Sequence, residues 1–184
     1  MTKKSTVATR PLAEVIADLG RTMQSLYVRC SQMHVDGAGQ ELWHACNQAC
    51  VRRDSMSDHF SALDNLAHVL LKNQFYAESA VVTRCTLELI AGVRAAPLDD
   101  SSILVIRAYL LAKHAHACSH TAQFSAAIKA DAELGQALMA ALRSDVDFPV
   151  FHGGIAALVD HLVKNTCAAP ERILLTYPAE PAVA

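Results

Sequence analysis

The sequence predicts an all-α protein of about seven helices in antiparallel hairpins. Three observations point there. Apolar residues recur at three- and four-residue steps from Leu12 to Val163, the period of a helix with one buried face. Alanine, the strongest helix former, is abundant, while 184 residues hold only 7 Gly and 6 Pro. No run alternates apolar with polar residues as a half-buried strand would. With 52% hydrophobic residues the chain can build one core. We expect a flexible tail over 1–10, a single helical domain over 11–166 and an extended or disordered tail over 167–184.

The elements follow in order. Leu12, Val15, Ile16, Leu19, Met23, Leu26, Tyr27 and Cys30 form one stripe, and Pro11 suits the first turn of that helix. The stretch HVDGAGQ ends it. A second helix carries Leu42, Trp43, Cys46 and Cys50 and gives out near Asp54. DSMSDHF offers capping residues for a third, whose inner side holds Phe60, Leu63, Leu66, Ala67, Leu70 and Leu71. Asn73-Gln74 breaks the chain before a fourth helix from about Phe75 to Val93. Pro97 then stops the helix, and Asp99 to Ser102 supply an N-cap for a fifth from Ile103 to about Ser119. Val105, Ile106, Tyr109, Leu110 and Leu111 make that helix apolar on nearly every side, which belongs in the middle of a stack. A sixth helix is expected from about Thr121 to Leu142. DVDFP separates it from a seventh, about Val150 to Lys164.

Charge excludes some partners. With 16 Lys and Arg against 18 Asp and Glu the net charge is −2, without the basic face that nucleic-acid binding needs. Lys3-Lys4 and Arg52-Arg53 are too small for such a patch. The first twenty residues lack the apolar core of a signal peptide, and no stretch nears the roughly 18 apolar residues of a membrane span. A cytoplasmic protein with no membrane partner is expected. The six cysteines (Cys30, Cys46, Cys50, Cys85, Cys118, Cys167) sit mostly within helical patterns and read as reduced core residues.

KHAHACSH, residues 113–120, is the one dense cluster of metal-ligand types. On a helix, His114 and Cys118 share one face, while His116 and His120 lie on nearly the opposite one. Each pair has ligand spacing, but the four cannot meet on one ion. A site would need further ligands, such as Cys46 and Cys50 from another helix. Neither pair carries the Glu of H-E-x-x-H that supplies a hydrolytic base. Structural roles are the expectation: Cys118 in the core and a histidine at the helix end, where its charge suits the macrodipole. Neither a glycine-rich phosphate loop nor a serine nucleophile elbow is present, and Cys46-x-x-x-Cys50 lacks redox spacing. We expect no enzyme, no cofactor and no metal.

SALDNLAHVLLKNQFYAESAVVTRCTLEL, residues 61–89, resembles a tetratricopeptide repeat. The matching residues are Asn65-Leu66-Ala67, Leu70-Leu71-Lys72, Tyr76, Glu78 and Leu87-Glu88-Leu89, with small Ala67 and Ser79 where the two helices cross. Gln74 stands where the family favours Gly, and Ser79 and Thr86 where it favours Ala. HTAQFSAAIKADAELGQAL echoes a second half-unit through Phe124, Ala127, Ile128 and Leu134. The resemblance implies a right-handed repeat stack, with a plain helical bundle as the alternative. It also implies a partner-binding face holding Asp64, Asn65, His68, Leu71 and Lys72, positions that would otherwise be ordinary solvated surface. The partner would be another protein or a peptide, with a homodimer among the assemblies to consider. Cytoplasmic chaperones of bacterial type III secretion systems are similar in length and acidity. A metal- or ligand-binding bundle built on the clustered His and Cys is the alternative function.

Overall fold

The computed structural model describes residues 10–35, 39–92 and 101–143. Among them are six helices and no strand: α1 Leu12–Val35, α2 Gln40–Cys50, α3 Met56–Lys72, α4 Tyr76–Gly92, α5 Ser101–His120 and α6 Phe124–Arg143. The expected seventh helix and the C-terminal tail lie outside the described residues.

Local chemistry sets the ends. α2 stops at Cys50, short of Asp54, because Val51 turns to an extended backbone at ψ 130°. Ser55 caps α3 as expected, its hydroxyl oxygen accepting the Asp58 N–H at 3.0 Å. α3 closes with the Phe75 N–H on the Leu70 carbonyl (2.9 Å) and the Gln74 N–H on the Leu71 carbonyl (3.0 Å). That pattern needs a left-handed residue, and Gln74 supplies it at φ 64°. α5 ends the same way 48 residues on: Ala122 sits at φ 58°, and the Gln123 N–H bonds the Cys118 carbonyl at 2.9 Å. The expected sixth helix from Thr121 therefore starts later, at Phe124. Alanine has no left-handed preference, so nothing local signals this turn.

α1 packs on α2 and α4, and α3 packs on the same two, so four helices close a ring. α5 lies across both α3 and α4, and α6 pairs with α5. The helix that reads as apolar all round is thus the central one, packed on three neighbours. In the α3–α4 crossing, Ala67 and Ser79 are fully buried, and the Ser79 hydroxyl donates to the Ala67 carbonyl at 3.2 Å. In α5–α6 the equivalent pair is Ala115 and Ala127, both buried. Small residues at both crossings let the backbones approach.

The ring's core gathers Leu26 and Cys30 from α1, Leu42, Ala45, Cys46 and Ala49 from α2, and Leu63, Leu66 and Leu70 from α3, with Val82 of α4. Phe60, Ile90, Ile103, Ile106 and Leu110 form a further cluster where α3, α4 and α5 meet. The stripe expected on α1 is wider than the strip that is buried. Val15, Leu26 and Cys30 are covered, while Leu12, Ile16 and Tyr27 keep about half their surface in water. The ring contacts α1 through α2 and α4, which leaves one margin of the stripe outside. Arg10, the last residue of the expected tail, is held in place. Its guanidinium reaches Glu88 of α4 through two bonds (2.5 and 3.2 Å) and also pairs with Asp18.

Candidate partner-binding surface

The five residues read as a partner face divide between surface and interior. Asn65 is exposed, His68 is half-buried, and Lys72 is exposed with its ammonium 2.8 Å from Glu41 of α2. A solvated pair of this kind adds little stability. Leu71 is only 4% exposed and packs with Ala80, Ala117, Cys118 and Ala127. Asp64, with 14% of its side chain exposed, forms an ion pair with Lys113 of α5 at 2.6 Å. Of the five, Asn65, His68 and Lys72 reach solvent, while Asp64 and Leu71 are engaged in holding the helices together.

Lys113 is 1% exposed. Its ammonium lies 2.6 Å from Asp64 Oδ1 and also donates to the Asp64 carbonyl at 3.2 Å. The Tyr109 ring lies 5.6 Å away, within cation–π range. Burial pushes the Asp64 carboxyl above the usual carboxylate range, while Lys113 and His68 pull it back. The lysine escaped the sequence reading, although a signal existed. Tyr109, Leu110 and Ala117, three or four residues away on the same helix, are apolar, which marks a charge aimed inward.

The rest of KHAHACSH divides as its helical spacing requires. His114 Nδ1 lies 2.9 Å from the Thr83 hydroxyl of α4, and Nε2 lies 3.5 Å from Cys118 Sγ. The Thr83 hydroxyl also reaches the Ser79 carbonyl at 2.8 Å, so the ring, the hydroxyl and the thiol form one connected set of contacts between α4 and α5. Burial lowers the His114 pKa, which favours the neutral ring. His120 stacks on Tyr76 with ring centroids 4.2 Å apart and planes at 7°, and His116 meets His120 edge-on at 4.7 Å. Cys46 lies against Cys30 and Cys50; burial, then those neighbouring thiols, push its pKa up to about 12, leaving a poor nucleophile. Among the described residues, no three His, Cys, Asp or Glu side chains are arranged to hold a metal ion.

An open groove of about 350 Å³ lies at the α3–α4 turn, lined by residues 73–78 with Arg29 of α1, His120 of α5 and Thr121 just after it. Arg29 stands 4.7 Å over the Phe75 ring and pairs with Glu78. The groove therefore offers an aromatic pair, Tyr76 on His120, beside a neutralised Arg–Glu couple and the amide of Gln74. Those groups suit a mixed polar and apolar peptide better than a strongly charged one. No sequence signal joins Arg29 to Phe75, because their approach depends on how the ring closes.

No helix among the described residues is long and apolar enough to cross a membrane. Compared with protein-family models, with curated proteins and with solved structures, the chain matches none.

Proposed function

We propose that the protein is a non-enzymatic scaffold that holds a peptide or partner helix of another protein, in the manner of a chaperone or adaptor. The observation that supports this reading is the residue at the head of the groove. A left-handed backbone costs a side-chain-bearing residue about 1 kcal/mol or more, and glycine would relieve it. Position 74 instead carries a glutamine, and that residue is part of the groove's lining. Ala122 bears the same cost outside the groove, so the backbone alone marks no ligand; position 74 differs in bringing to a groove an amide that can hydrogen-bond a partner.

The tetratricopeptide-repeat likeness belongs to the same proposal, and so do its secretion-chaperone form and its cytoplasmic setting. What supports the likeness is the turn shared by the α3–α4 and α5–α6 hairpins, with small residues at both crossings. The test is a photoreactive amino acid placed at position 74 or at Asp58, expressed in the native host. Asp58 is exposed in the first turn of α3, at the opposite end of that helix. The scaffold reading expects a discrete protein adduct at 74 that is absent at 58. Equal labelling at both positions, or none, refutes it.

A further inference from the structure

The two hairpins correspond residue by residue, and the correspondence exposes a difference in what covers them. The turns match at Gln74 and Ala122, the first helical residues at Tyr76 and Phe124, and the buried positions at Ser79 and Ala127. On α4, Tyr76 stacks on His120 of α5, and Ala80 is 5% exposed against Ala117 and Cys118. The matching residues of α6 are Phe124 and Ile128, which are 62% and 70% exposed. A face that α5 covers on the first hairpin therefore stands open on the second, and it carries larger apolar side chains.

The covering of α4 also shows what kind of element fits. α5 returns over α4 after residues 93–100 and presents small residues at the crossing. In the sequence, residues 144–149 separate Arg143 from Val150, a comparable number. Beyond it, Phe151, Ile155, Leu158 and Leu162 recur at helical spacing, and Gly153, Gly154, Ala156 and Ala157 supply small residues beside them. The chain carries 41 residues past Arg143, enough for a return along α6. Attachment to α6 also gives this segment a high effective concentration at that face.

We propose that residues 150–164, outside the described residues, dock on the Phe124–Ile128 face of α6 as α5 docks on α4. Docking this way removes an exposed apolar face that would otherwise draw copies of the chain together.

Hydrogen exchange on the full-length protein, read by mass spectrometry over peptides from 150–164, tests the proposal. In the wild type these amides should exchange at least tenfold more slowly than an unstructured chain. Ile128→Glu should remove most of that protection while α3 and α4 keep theirs, and Lys129→Ala, beside the face, should leave it intact. If Ile128→Glu also unprotects α3 and α4, the milder Phe124→Ala is read instead, with the same expectation. Fast exchange over 150–164 in the wild type overturns the proposal, and so does protection that both face variants leave unchanged. Protection seen only at concentrations where the protein is dimeric also overturns it, since a second copy would then be the occupant.

Discussion

Replacing Lys113 by methionine should destabilise the protein by about 3–5 kcal/mol at neutral pH, because a buried carboxylate is left without its counter-ion. At the observed 2.6 Å separation, the attraction between the charges is about 6 kcal/mol at an effective dielectric constant of 20. Desolvating the two ions costs several kcal/mol each, so the intact pair adds little net stability. The loss in the single variant is the uncompensated burial of Asp64. The double variant Asp64→Leu, Lys113→Met should therefore recover most of it. Acidity supplies an independent check. The Asp64 carboxyl is held above its ordinary value in the fold, so the folded protein takes up that proton at a higher pH than the unfolded chain does. Its burial cost is absent below the unfolded value and enters as pH rises through the folded one. Without Lys113 the folded value climbs further, and the variant should regain stability on acidification to about pH 5. Urea unfolding followed by circular dichroism and by the single tryptophan, Trp43, measures both effects. A loss below about 1 kcal/mol in Lys113→Met, or a double variant as unstable as the single one, would refute the buried-pair account.

Other substitutions probe the remaining contacts. Ala67→Leu should overpack the crossing with Ser79 and cost about 1–3 kcal/mol, visible as a lower melting temperature. Gln74→Gly and Ala122→Gly should each raise stability by up to about 1 kcal/mol, and denaturant midpoints would show it. Cys118→Ser should cost about 1–3 kcal/mol. His116→Ala with His120→Ala should lose the ring contacts around Tyr76, about 1 kcal/mol, with metal content unchanged by elemental analysis. The reverse order of stability, or a metal lost from the double-histidine protein, would place the chemistry of residues 113–120 on the other face.

Much of this architecture is legible in periodicity alone. The apolar spacing marks all six described helices, and the loss of amphipathicity in residues 103–119 places α5 at the centre. Helix ends are less legible. Asn73-Gln74 reads as a break, but Ala122 does not, since alanine has no preference for the left-handed backbone it adopts there. The partner face is the least legible part. Spacing puts Asp64 and Leu71 beside Asn65, His68 and Lys72, yet the direction each faces depends on where α5 lies. That position is decided by contacts such as Asp64 with Lys113, 49 residues apart. A local pattern carries no term for such distances.

The closure of the ring by α1 and α4 bears on the order of assembly. Arg10 and Glu88 meet across 78 residues, whereas each sequential pair of helices, α3 with α4 and α5 with α6, needs only a short turn. Local pairs form before distant ones, since a long loop must be closed before its contacts contribute. The seam between α1 and α4 is thus expected to zip last on folding and part first on unfolding. Truncating Arg10 to alanine should then speed unfolding and leave the folding rate nearly unchanged, so stopped-flow kinetics can locate where the molecule begins to open.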